Sequence, residues 1–145
     1  MNIAVSACLL GVRCRYDGGS KPCEAVVALK ERHTLVPVCP EAMAGLPIPH
    51  APNEIVSACP LCVRDSEGVD NTAAFVRGAE KAVTRAQDKA CELAILKAKS
   101  PSCGIGLVYD GTFSGTLVPG DGVATVLFKQ AGIPVVDERH IPEGL

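Results

Sequence analysis

Three short apolar runs in this chain each lead into a cysteine set close to glycine or proline. Asn2 to Ala7 runs into Cys8-Leu9-Leu10-Gly11, Thr34 to Val38 into Cys39-Pro40-Glu41, and Leu93 to Lys97 into Ser100-Pro101-Ser102-Cys103-Gly104. Continuous apolar runs this short, bounded by turn residues, predict strands buried on both faces, as in a parallel sheet. Between them the spacing changes to that of helices. Ala25, Val26 and Leu29 share a face within Cys23 to His33, and Phe75, Ala79, Val83, Ala86, Ala90 and Leu93 recur from Asn71 to Leu93. A third helix is predicted over Val123 to Ala131, closed by Gly132, before a last strand at Ile133 to Val136. Strand and helix alternating in this way predict an α/β fold: one domain over 1–145, a mostly parallel sheet with helices on both faces, in a Rossmann-like three-layer arrangement. Sites in such sheets form beyond the carboxyl ends of the strands. Cys8, Cys39 and Cys103 are therefore expected to meet at one edge of the sheet.

Composition narrows the class. Of 145 residues 48% are hydrophobic, which excludes a disordered chain. Fourteen Lys and Arg against 16 Asp and Glu leave a net charge of −2, and no basic tract, so no nucleic-acid polymer is expected as partner. No stretch approaches the roughly 20 apolar residues of a membrane span, and no basic n-region of a signal peptide opens the chain. The expectation is a cytoplasmic protein with its eight cysteines reduced, which makes some of them candidates for metal ligands or catalysis.

Other segments read less sharply. Ser20 resembles a helix N-cap with Pro22 in the first turn. Gly45 to Pro52, with three prolines, predicts a stiff surface loop. Ile55 to Ala58 and Val63 to Val69 are candidate strand and hairpin arm. The stretch from Tyr109 to Gly122 predicts a long glycine-rich loop. Cys91, inside the long helix, reads as a small buried hydrophobe, and Cys23 as filler in a first helical turn. Cys14 shares a turn with Cys8 and is the possible fourth ligand. With Cys8, Cys39 and Cys103 it could form a closed zinc site in a non-enzymatic, thiol-rich interaction protein. Cys59-Pro60-Leu61-Cys62 is a lone C-x-x-C, with a thiol oxidoreductase as its functional reading. His33, His50 and His140 lie outside these motifs and read as surface residues. Tyr16, Tyr109 and Phe113 are the rings available to a flat substrate. Asp17 and Asp110, in the two Tyr-Asp-Gly turns, read as turn formers, and Gly120-Asp121-Gly122 as a plain turn rather than a phosphate cradle.

Four segments together resemble the DUF523 family, which includes the thiouracil desulfidases. They are Ser6-Ala7-Cys8-Leu9-Leu10-Gly11 with Cys14-Arg15-Tyr16-Asp17-Gly18; Pro37-Val38-Cys39-Pro40-Glu41; Ser100-Pro101-Ser102-Cys103-Gly104; and Tyr109-Asp110-Gly111-Thr112-Phe113-Ser114-Gly115. The likeness extends over Phe75 to Ala79 and Gly132 to Val135. It implies a 4Fe-4S cluster on Cys8, Cys39 and Cys103, with Glu41 and a serine of the pair Ser100 and Ser102 as catalytic residues. The implied activity removes sulfur from a thiolated pyrimidine base or nucleotide by non-redox C–S hydrolysis, releasing hydrosulfide. Three thiolates leave one iron open, and Glu41 would then activate the water. The sequence departs from the family at His50, where an arginine is expected, at Asn71, and in the added Cys59 and Cys62.

Overall fold

The computed structural model describes residues 1–145. Four parallel strands form the main sheet: β1 (Asn2–Ser6), β2 (Thr34–Val38), β5 (Leu93–Leu96) and β8 (Val135–Asp137), in the order β2-β1-β5-β8. Around them lie helices α1 (Glu24–Val27), α2 (Pro40–Met43), α3 (Thr72–Asp88) and α4 (Val123–Gln130), and two hairpins, β3 (Asn53–Ala58) with β4 (Leu61–Asp65) and β6 (Leu107–Tyr109) with β7 (Leu117–Pro119). The mixed α/β class and the parallel sheet agree with the sequence. Alternation along the strands builds two cores. Ile3, Val5, Leu93 and Ile95 face Val26 and Leu29, while Ala4, Ala94 and Leu96 face Phe75, Ala79 and Phe128. Helices thus cover both faces, and the apolar character of Ile3 to Val5 in β1 and of all of β5 follows from that.

Several boundaries differ from the sequence reading. The predicted helix 23–33 is a single α turn followed by a 3-10 turn at Ala28–Glu31, and Cys23, not Ser20, stands at its cap without a side-chain hydrogen bond. α3 stops at Asp88, not Leu93. Ala90 takes a left-handed φ of 53°, and the N–H groups of Ala90 and Cys91 return to the carbonyls of Gln87 and Ala86. That closing motif ordinarily carries glycine; with alanine there the sequence shows no stop. Cys91 is buried as expected, but in the turn after the helix. The glycine-rich stretch is not all loop, since β6 and β7 pair across it.

α2, which the sequence reading passed over, matters most for the site. It starts directly after Cys39 with Pro40 in its first turn and Glu41 beside it. α3 fixes it in place. Arg77 Nη2 donates to the carbonyl of Ala44 at 2.8 Å, and Gly78 lies so close that a Cβ there would meet the Pro40 carbonyl oxygen at 1.9 Å. Gly78→Ala is therefore expected to cost about 3 kcal/mol, the upper end for overpacking because backbone must yield, and to displace α2. Denaturant midpoints check the first effect; a wild-type midpoint would show that the helices separate freely.

Candidate active site

The strand order places β2 and β5 on either side of β1, so the chain leaves the sheet in opposite directions at β1. Beyond the carboxyl ends of these strands lies a cavity of about 570 Å³, a size suited to a small ligand. Cys8, Cys14, Cys39 and Cys103 all line it, as do Glu41, Ser100, Ser102, Tyr16, Tyr109 and Phe113. Every residue that the family resemblance implies as ligand or catalyst, and each ring singled out for a flat substrate, is on its wall. Cys59, Cys62, Cys91, His33 and His140 are not. Cys59 and Cys62 instead occupy the tip of the β3–β4 hairpin.

The thiols come from three breaks after strands. Cys8 sits in the 3-10 turn following β1, Cys39 caps α2 directly after β2, and Cys103 lies in the loop after β5. They are near enough to perturb one another. Burial first, then the Cys39 charge, pushes the Cys8 thiol up to about 11; burial pushes Cys103 up to about 12. Cys14 and Cys39 share a hydrogen bond that raises Cys14 and lowers Cys39, whose thiolate is further stabilised by backbone N–H groups of α2. Buried thiols of this kind ionise readily only against a bound positive centre. Yet no three His, Cys, Asp or Glu side chains converge on the position of one metal ion. A sulfur-only donor set drawn from three strand ends suits a polynuclear centre.

Polar groups beside the thiols form a connected row. The Ser100 and Ser102 hydroxyls are 2.9 Å apart, and Ser102 Oγ donates toward Glu41 Oε2 at 3.5 Å and lies 3.6 Å from Cys103 Sγ. Ser100 Oγ also accepts the N–H groups of Ser102 and Cys103, which folds this loop tightly. α4 locks it from behind, because the Val123 and Ala124 N–H groups bind the Pro101 and Ser102 carbonyls. A Cβ on Gly122 would stand 2.5 Å from Ser102 backbone atoms. The first N–H groups of α4 are thus consumed by the protein, and Asp121 accepts from Gly106 and pairs with Lys129 at 2.8 Å. Gly120 to Gly122 is a turn, not an anion cradle.

His50 corrects the sequence reading. The proline-rich loop folds back through a hydrogen bond from the His50 N–H to the Tyr16 carbonyl, at 2.7 Å. This carries the imidazole inside, where Nε2 faces Glu41 Oε1 at 3.6 Å and has no hydrogen-bond partner, while Nδ1 contacts the Ala51 carbonyl at 2.8 Å. Burial raises the Glu41 carboxyl above its ordinary range; His50, the Ser102 hydroxyl and Arg15 pull the other way without cancelling it. Sequence reasoning also missed Ser6, Arg15, Glu54, Lys97 and Lys99 on the cavity wall. Ser6 is buried and its Oγ accepts the Lys97 N–H at 2.9 Å, joining β1 to the end of β5 beside Cys103. The serine of the Ser6-Ala7-Cys8 segment was its only signal. Asp17 and Asp110 accept from the N–H groups two residues on, as turn formers do.

No helix is long and apolar enough to cross a membrane. The profile of the 2-thiouracil desulfurase family matches residues 3–140. The chain is 37% identical over 146 residues to YbbK of Bacillus subtilis (strain 168), covering 96% of this chain and 97% of that protein. It is similar in structure to the 4Fe-4S-dependent thiouracil desulfidase TudS, at 41% identity and a TM-score of 0.87, over 98% of this chain and 93% of the other. A family match across nearly the whole chain, agreeing with a solved relative at this identity, is sufficient: the chain belongs to the 2-thiouracil desulfurase family.

Proposed function

We propose that the protein is a 4Fe-4S-dependent desulfidase that replaces the sulfur of a thiolated pyrimidine by oxygen from water. The observation that carries this is the grouping of Cys8, Cys39 and Cys103 around one cavity with Glu41 and the two serines. The three thiolates would hold the cluster, with Cys14 as the possible fourth donor. A cluster on three thiolates supplies an iron with an open position, soft enough to take the sulfur of a thiocarbonyl and polarise the C–S bond.

The chain's own residues supply the rest. Glu41, held from below by α2 and α3, takes a proton from water as its oxygen bonds to the ring carbon. Ser102, donating toward Glu41 and hydrogen-bonded to Ser100, passes a proton along that row or steadies negative charge at the carbon. The C–S bond then breaks with its electron pair on sulfur, and the products are the oxo-pyrimidine, hydrosulfide and one proton. Nothing is oxidised or reduced. Tyr16, Tyr109 and Phe113 offer faces for a flat ring. Hydrosulfide release from 2-thiouracil by anaerobically purified protein tests the reading, and a colourless, iron-free product after cluster reconstitution counts against it.

His50 gives a prediction with a definite sign. Glu41 serves as base only when ionised, so the rate rises with pH through its raised pKa. A protonated His50 favours the carboxylate. His50→Gln removes that help, and the acid limb of the pH–rate profile is expected to move to higher pH with iron content unchanged. An unmoved limb would show that the imidazole does not act on Glu41.

A further inference from the structure

Glu54 lines the cavity at the start of β3 and is the only carboxylate there besides Glu41. It is buried and pairs with no cation. Both of its protein hydrogen bonds fall on one oxygen: Oε1 accepts the N–H of Gly111 at 3.0 Å and of Phe113 at 3.2 Å. Oε2 receives no donor from the chain. A carboxylate can accept about four hydrogen bonds, and Oε2, unlike the orphaned ring nitrogens of His33 and His50, keeps an accessible surface. On the wall of a binding cavity, the missing donor belongs to whatever fills it.

The two bonds on Oε1 also shape the wall. Gly111 has a φ of +91° and presses on β3, where a Cβ would stand 2.8 Å from Val56 Cα; Phe113 is held at a φ of +57°. Bulky residues persist in that region only when their surroundings enforce it. Phe113 lines the cavity and leaves 38% of its surface exposed, so its ring is available to a planar ligand.

We propose that Glu54 determines substrate specificity: Oε2 accepts a ring N–H of the pyrimidine, while Oε1 holds Phe113 against the ring's face. The inference rests on the thiopyrimidine reading of the cavity and adds to it that the substrate carries a hydrogen on the ring nitrogen turned toward β3. A carboxylate makes a charge-assisted bond to such a donor, and an N-alkylated ring cannot supply it.

Calorimetric titration of uracil, 1-methyluracil and 3-methyluracil into the anaerobically purified protein tests this without turnover. One of the two methylated ligands is expected to bind at least about tenfold more weakly than uracil. Glu54→Gln keeps a carbonyl for the Gly111 and Phe113 N–H groups but turns an amide donor toward the ring. In that variant uracil is expected to weaken to the level of the disfavoured ligand, with the preference falling to about twofold or less. Equal binding of all three ligands by the wild-type protein overturns the proposal, as does no binding of uracil, or a preference that survives in Glu54→Gln. Hydrosulfide release from 2-thiouracil is measured on the same preparation. Its absence overturns the desulfidase reading and leaves the ligand preference as a separate result.

Discussion

Cys39→Ala is expected to give a folded protein with little iron and hydrosulfide release reduced at least about a thousandfold, since a metal centre that loses a ligand loses its chemistry. Cys39 is the informative position among the three. It is half-buried at the cap of α2, and its thiolate is the one the fold stabilises, whereas Cys8 and Cys103 are held neutral by burial. Deleting its sulfur leaves a small gap on a cavity wall, not in a packed core, so circular dichroism should remain that of the wild type. Cys14→Ala is the companion. If three thiolates hold the cluster, iron content stays at about four per chain and activity largely survives; if iron falls with it as with Cys39→Ala, the centre has four protein ligands and no open position. Wild-type iron in Cys39→Ala would remove the basis of the ligand assignment.

What could be read from the sequence follows from the range of the forces involved. β1, β2 and β5 announced themselves as short apolar runs, Ile3 to Val5, Leu35 to Val38 and Leu93 to Leu96, as strands of a helix-covered parallel sheet tend to be. The convergence of Cys8, Cys39 and Cys103 then needed only the rule that parallel strands share one carboxyl edge. The end of α3 was illegible because Ala90 does what glycine ordinarily does. β6 and β7, three residues each, are too short to show a period. His50 and Glu54 escaped for another reason. His50 is brought inward by a single backbone bond to Tyr16, and Glu54 is committed by N–H groups 57 and 59 positions away. Polar partnerships of that span leave no local pattern; the family resemblance marked His50 only as a departure from an expected arginine and did not mark Glu54.

Glu41→Gln is expected to lower hydrosulfide release by roughly 10²- to 10⁴-fold, the usual worth of a general base, with iron content and uracil binding retained. The substitution is nearly isosteric, and the amide oxygen can still accept from Ser102, so α2 and the loop over Ser100 to Cys103 keep their geometry. Only the capacity to take a proton disappears. The acid limb of the wild-type pH–rate profile should disappear with it, because that limb reports ionisation of the buried Glu41 carboxyl, which burial raises above its ordinary range. The two readouts together separate a base from a mere hydrogen-bond acceptor. An acceptor would cost little and leave the limb in place, whereas a base takes both the rate and its pH dependence away. Ser102→Ala provides the contrast. It removes a donor from Glu41 Oε2, which raises the carboxyl further, so the limb is expected to persist and move to higher pH while the rate falls. A Glu41→Gln protein with the full wild-type rate would transfer the proton-accepting role elsewhere in the cavity, with Glu54 the remaining carboxylate on its wall.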